Sequence, residues 1–194
     1  MLSLNEYSTS KSSNYVDDAF YEKIFVLREA ARNLGPSDPT LRAQAENFLF
    51  FEARLIDDGR HSEWLDLFAE ECLYWLPSDD SGDARRCVNI AFDDRRRLEE
   101  RVVRLHTGYA HNQLPERLLQ HHISNVEAWP GDTPQGLRVL SRQLVYEYRP
   151  GRPLVFFACK MDHRLIHERG ELRIAEKRVV ILQAQDPIET PTLL

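Results

Sequence analysis

The feature that most constrains the fold is a change of periodicity near Pro115. Before it, apolar residues recur at helical spacing; after it, the chain reads as four long strand-like segments, about 121–129, 138–148, 154–163 and 172–185. Pro130-Gly131 and Pro150-Gly151 separate the first three by short loops of the kind that joins antiparallel neighbours. Helices first and strands afterwards predict an α+β domain in which a curved sheet wraps around the helices. With 194 residues, 42% of them hydrophobic, the chain can build one such domain with one substantial core.

The helical half reads as a tail followed by several helices and one strand. Residues 1–14, rich in Ser, Asn and Thr, read as a mobile tail. From Val16 to Leu34, Phe20, Ile24, Leu27 and Ala31 recur at helical spacing, Asp17 and Asp18 complement the positive helix end, and Gly35-Pro36 stops it. This accessory helix has either a partner subunit or its own domain to pack on. Asp38-Pro39 starts the next helix, with Asp as cap and Pro preset for the first turn. Its buried face is Leu41, Ala45, Phe48, Leu49, Leu55 and Ile56, and Gly59 ends it; Trp64, Leu65 and Phe68 form a short second helix. Cys72 to Leu76 reads as a strand ended by Pro77, and Ser78 to Asp83 as a polar loop. Arg95 to His106 is a third helix of this half, with Leu98, Val102 and Leu105 inward and Glu100/Arg104 on the solvent side.

The net charge of −6 is spread over interleaved acids and bases, so no basic stripe for nucleic acid exists. No run approaches the roughly 18 apolar residues of a membrane span, and no basic leader precedes an apolar core, so the expectation is a cytoplasmic protein with no membrane partner. Lysine occurs only at Lys11, Lys23, Lys160 and Lys177. Positive charge is therefore mostly arginine, whose planar fork suits fixed carboxylate pairing at interfaces, although an Arg-rich genome composition gives the same count. Cys72, Cys87 and Cys159, an odd number in apolar or strand-like sequence, read as reduced thiols.

Two blocks carry a family pattern. The first holds Glu52-Ala53, Leu55, Asp57, Asp58, Trp64-Leu65, Tyr74 and Pro77; the second holds Asp94, Leu98, Arg101, Arg104, Leu105, Thr107-Gly108, Pro115, Arg117 and Ser124-Asn125-Val126. A weaker third is Arg173-Ile174-Ala175 with Arg178, Val180 and Leu182. Over about Thr40 to Leu194 the chain resembles the small (β) subunit of aromatic-ring-hydroxylating dioxygenases, the Rieske non-haem iron oxygenases. It departs from the pattern at His111 and Leu172, where Trp is usual, at Glu116, where Ser is, and at Gln183, where Asp is.

The resemblance implies a cone-shaped, nuclear-transport-factor-like fold over residues 39–194, with residues 1–38 as tail and accessory helix. It also implies a partner, the large (α) subunit, that carries the Rieske cluster and the mononuclear iron and performs cis-dihydroxylation with O2 and NADH-derived electrons. This chain, as a trimer, would then be the assembly-promoting base of a hexamer of three large and three small subunits. Trp64, Asp93, Asp94, Arg101, Arg104, Arg117 and Asn125 are the candidate subunit-interface residues, each with intramolecular pairing as the equal alternative.

The residues agree that the chemistry lies elsewhere. A Rieske centre needs two Cys and two His, and none of the three cysteines is followed two or three residues later by His. Asp58-Gly59-Arg60-His61 matches half of a mononuclear-iron motif, but the next histidine is His106. His163 and His167, four apart in strand-like sequence, would lie about 13 Å apart, too far for one metal, and read as surface or interface residues. His121 and His122 point to opposite faces of a strand, one buried and one exposed. No glycine-rich nucleotide loop and no nucleophile elbow occurs. Cofactor-binding and catalytic residues are therefore expected to be absent. Two other readings stay open: a free-standing cone-fold dehydratase or isomerase using Asp57, Tyr74, His106 and His122, or a small-molecule binding module.

Overall fold

The computed structural model describes residues 15–31, 33–80, 83–106 and 117–184. Their elements are α1 (Asp18–Ala31), α2 (Pro39–Asp57), α3 (His61–Asp66), β1 (Phe68–Pro77), β2 (Asn89–Asp93), α4 (Arg95–His106), β3 (Leu118–Pro130), β4 (Leu137–Tyr148), β5 (Val155–Glu168) and β6 (Glu171–Ile181). The tail 1–14 and the family positions Thr107-Gly108, His111, Pro115 and Glu116 lie outside the described residues.

The six strands form one sheet in the order β2-β1-β6-β5-β4-β3. Every neighbouring pair is antiparallel except β1 with β6. The sheet curls around α2, whose start follows from Asp38: its Oδ1 accepts from Thr40 N at 2.7 Å and Leu41 N at 3.2 Å, with Pro39 in the first turn. Gly59, at φ +68°, supplies the left-handed residue just past the helix end. Ala45, Leu49, Leu55 and Ile56 then meet the inward side chains of β4 and β5, among them Val139, Val145, Phe157, Met161 and Leu165, in one core.

Curvature has local causes. β3 carries a bulge between Ser124 and Glu127, where Asn125 sits at φ +48°, a conformation asparagine tolerates better than most residues. β5 and β6 shift register between Arg164 and Leu165, and they turn over Arg169-Gly170, both at positive φ as a tight type I′ hairpin requires.

α1 packs on its own domain. Phe20, Tyr21 and Ile24 cover Leu73, Trp75 and Phe92 on the outer face of β1 and β2, with the Tyr21 and Phe92 rings stacked at 5.4 Å. Arg28 fastens the far end by donating from Nη2 to the Asp80 carbonyl at 2.6 Å.

Two expectations change. Phe68 opens β1 rather than closing a helix, so that strand starts four residues before Cys72. The exposed Glu70-Glu71 pair interrupts its apolar pattern and hides the strand start from a periodicity argument. β2 was not anticipated either: it is a five-residue edge strand, held by pairing with Tyr74 to Pro77 rather than by its own alternation.

Candidate functional site

Most family positions serve contacts inside the chain. Asp94 caps α4, its Oδ1 accepting from Arg97 N at 2.9 Å, and Asp93 Oδ2 accepts from Arg101 Nε at 2.6 Å, tying α4 to β2. Tyr15 completes this corner. Its hydroxyl accepts from Arg95 N and donates to the Cys72 carbonyl, both at 2.8 Å, and burial pushes its pKa up to about 12. Arg117 Nη1 donates to Glu147 Oε2 at 2.9 Å, while Arg149 Nε takes the other oxygen at 2.7 Å. Both guanidiniums are buried, as the two-sided use of one carboxylate requires.

Trp64 is a correction. It is 0% exposed within the single chain, where it packs against Phe68 and Tyr74, so it has no area to offer a second subunit. Its Nε1 donates to Glu52 Oε1 at 3.2 Å. Arg104 on α4 and Asn125 in the β3 bulge are the exposed members of the group.

Glu52 is the centre of a cluster that the sequence did not reveal. Lys177 Nζ donates to its Oε1 at 2.7 Å, and His163 Nε2 lies 3.2 Å from its Oε2. All of these side chains are within 3% of full burial, and Lys177 Nζ stands 5.8 Å from the Trp64 ring centroid. Burial alone would raise the Glu52 carboxyl, but the Lys177 ammonium and His163 outweigh it and hold the group well below the usual carboxylate range. His163 is thus a core residue, not the surface or interface residue expected; His167, four positions on, is exposed. The only advance signal was period two: Lys177, though flanked by Glu176 and Arg178, shares a strand face with Val179 and Ile181.

A second inner pair is His121 with Asp57, Nδ1 to Oδ1 at 2.5 Å, with His121 N donating to Oδ2 at 3.0 Å. His121 is buried and His122 exposed on the opposite face, edge-on to Tyr146. Of the four residues considered for an acid–base pocket, the three described ones, Asp57, Tyr74 and His122, are therefore not brought together. Asp57 is taken by His121, Tyr74 is in the core, and His122 points away; the His106 side chain lies outside the described residues.

The donor set also does not fit a Rieske cluster or a mononuclear iron. Cys72 and Cys159 are buried on different strands, with burial pushing both thiols up to about 12, and Cys87 is a third free thiol. Among the described residues no group of three or more His, Cys, Asp or Glu side chains is placed to share a metal. No described helix is long and apolar enough to cross a membrane.

The sheet also has an open outer surface. On the outer face, the half over β3, β4 and β5 has no covering element among the described residues, and Leu118, Leu144, Tyr148, Phe156 and Leu182 are exposed there. Such an arrangement can bind another protein.

Known proteins share both sequence and shape. Residues 51–185 match the family model for the ring hydroxylating beta subunit. The small oxygenase component of the p-cumate 2,3-dioxygenase system of Pseudomonas putida is 33% identical over 150 residues, covering 75% of this chain and 82% of that protein. The crystal structure of the benzoate 1,2-dioxygenase beta subunit from Burkholderia mallei superposes with a TM-score of 0.65 at 23% identity, over 81% of this chain and 99% of that one. A naphthalene 1,2-dioxygenase structure with indole in its active site gives 0.70 at 18% identity, over 100% of this chain and 99% of that one, and at such identity the likeness speaks for the cone fold. With a family model spanning well over half its length, a curated relative at one-third identity and the same curved sheet around α2, this chain belongs to the ring-hydroxylating dioxygenase beta-subunit family.

Proposed function

We propose that this chain is the assembly-promoting small subunit of an aromatic-ring-hydroxylating dioxygenase, with the oxygen chemistry carried by a large subunit. The observation that carries the reading is the family match over residues 51–185, joined to an interior in which the titratable side chains are spent on one another. Glu52, Lys177 and His163 close one internal network, and Arg117, Glu147 and Arg149 another, so the inner face stiffens a sheet instead of presenting reactive groups. The reaction of the whole enzyme would be cis-dihydroxylation of an aromatic ring. Its Rieske cluster and mononuclear iron would sit in the large subunit, and three copies of each subunit would form the hexamer. A cytoplasmic setting accords with three free thiols.

Co-expression with a Rieske-type large subunit tests this. Size-exclusion chromatography with light scattering and iron analysis should give a hexamer whose iron disappears when the large subunit is omitted. A small subunit that ignores its partner, while the partner is iron-loaded and active alone, would refute the assembly role.

A further inference from the structure

Strand register sets the outer side chains of β4, β5 and β6 in rows that change character along the strands. Leu144 pairs with Ala158, and Leu182, just past β6, donates its N–H to the Ala158 carbonyl at 2.8 Å, so this row is apolar. The next row holds Arg142, Lys160 and Val180, and the one beyond holds Leu140, Asp162 and Arg178. Two residues of a strand span about 7 Å, so cations of the second and third rows can face one small anion while apolar surface lies one row away. The rows line two contiguous grooves. One, of about 370 Å³, runs over Leu144, Ala158, Val180 and Leu182; the other, of about 290 Å³, runs past Arg178 to Arg28 on α1, and both contain Asp80, Arg142 and Lys160.

The second groove holds donors that the chain itself does not satisfy. Four cations, Arg28, Arg142, Lys160 and Arg178, line it against two carboxylates, Asp80 and Asp162, and a third carboxylate, Asp79, stands on the apolar groove. Asp162 is paired with Arg138, which lies outside both linings. Asp80 is shared by three of the cations, lying 2.8 Å from Arg178, 3.1 Å from Lys160 and 3.7 Å from Arg28. That leaves Arg142, whose Nη1 donates to the neighbouring Ser141 carbonyl at 3.1 Å and which has no carboxylate partner among the described residues. It also leaves one edge of Arg178. This side chain is 6% exposed, its guanidinium carbon stands 4.9 Å from the Trp75 ring centroid, and its Nε is buried without an acceptor. A guanidinium held between Trp75 and Asp80 cannot swing out to water, so the Nε donor is fixed where it calls for an acceptor.

We propose that the two grooves together bind an organic acid, its apolar body over Leu144, Ala158 and Leu182 and its carboxylate held by Arg142, Lys160 and Arg178. Planar guanidiniums suit the two oxygens of a carboxylate, and the contiguous apolar groove, within the roughly 300–1,000 Å³ usual for small-molecule sites, calls for a body behind that head group. α1 contributes Arg28 from outside residues 51–185, so the cationic end is not built by the family-matched stretch alone. Every group involved belongs to one chain, and the site stands or falls apart from the assembly reading.

Isothermal titration of hexanoate into the full chain tests this, with hexanol and inorganic phosphate as the two half-ligands. Hexanoate should bind saturably with a Kd of about 1 mM or tighter, and at least about tenfold more tightly than either half-ligand. Arg142→Ala with Lys160→Ala, and separately Leu144→Ser, change exposed side chains, and circular dichroism checks the fold. The double variant should bind hexanoate at least about tenfold more weakly and lose the salt dependence of binding; Leu144→Ser should weaken it about threefold or more and keep that dependence. Absence of saturable hexanoate binding, or binding unchanged in both variants, overturns the proposal. Phosphate bound as tightly as hexanoate would make this an inorganic oxyanion site and overturn the apolar half, and hexanol bound as tightly would overturn the cationic half.

Discussion

Replacing Lys177 by Met tests how the interior is held. The Lys177 side chain is 2% exposed and its ammonium lies 2.7 Å from Glu52 Oε1. Met keeps the volume but removes the charge, leaving the Glu52 carboxylate, 3% exposed, with only Trp64 Nε1 and His163 beside it. Breaking one side of a buried ion pair typically costs about 3–5 kcal/mol, because the other charge stays out of water uncompensated. Changing Glu52→Leu as well removes that charge, and the remaining deficit should shrink to about 1–3 kcal/mol, the penalty for orphaned Trp64 and His163 donors. The two single costs should therefore exceed the cost of the pair together by at least about 2 kcal/mol. Urea unfolding of the isolated chain at neutral pH, followed by tryptophan fluorescence, measures all three. A single Lys177→Met cost below about 1 kcal/mol, or strictly additive effects, would refute a coupled buried pair. The pH dependence has a definite sign. Because the folded-state pKa of Glu52 is depressed, its contribution is whole above the ordinary value of 4.5 and is lost as pH falls below it.

Other expectations separate backbone, burial and reactivity. Asn125→Gly should leave stability nearly unchanged while Asn125→Val costs about 1–2 kcal/mol by denaturant melts, since the bulge needs φ near +48°; equal effects would assign Asn125 to a side-chain contact instead. Burial raises the Glu176 carboxyl even though Arg138 and other arginines lie near it, so the folded state resists its ionisation. Its influence on stability should then become unfavourable as pH rises through and above the ordinary 4.5, and Glu176→Gln should hold or raise the melting midpoint at neutral pH; a clear fall would contradict that sign. Of the three thiols, half-buried Cys87 should react first with a disulfide reagent, while Cys72 and Cys159 react only on unfolding; mass mapping of labelled peptides decides.

How much was legible follows from where each signal lives. α2 and α4 were readable because capping and amphipathic spacing are local: Asp38-Pro39 and the Leu98/Val102 stripe sit in the sequence as they sit in the fold. The four long strands came through as well: β3, β4 and β5 alternate in burial, while β6, buried almost throughout, shows itself by its Val179, Val180 and Ile181 run. β2 and the start of β1 were not readable because their stability comes from partners remote in sequence. The Glu52–Lys177 pair spans 125 residues, and nothing local marks Glu52 as internal on an amphipathic helix that also carries the partly exposed carboxylates of Glu46 and Asp57. Trp64 misled for the opposite reason: a tryptophan in a family block is equally suited to a core and to an interface, and composition cannot choose.

The way the sheet ends narrows how this protein can associate. β3 is an edge strand of thirteen residues, long enough to recruit another strand through its backbone. It is closed instead. Asp57 receives His121 N at 3.0 Å, Asp38 N donates to the Ala128 carbonyl at 3.0 Å, and Trp129 Nε1 donates to the Gly35 carbonyl at 2.9 Å, while the Asn125 bulge breaks the ladder between. Asp57 and Asn125, both in the family blocks, thus act on the same edge. With pairing along the β3 edge obstructed, the uncovered outer face, where register sets Leu118 beside Tyr148 and Tyr146 beside Phe156, is the apolar surface next to it. Face-to-surface docking there is specific in a way strand addition is not, because its register is fixed by side chains rather than by a backbone that any extended segment can match.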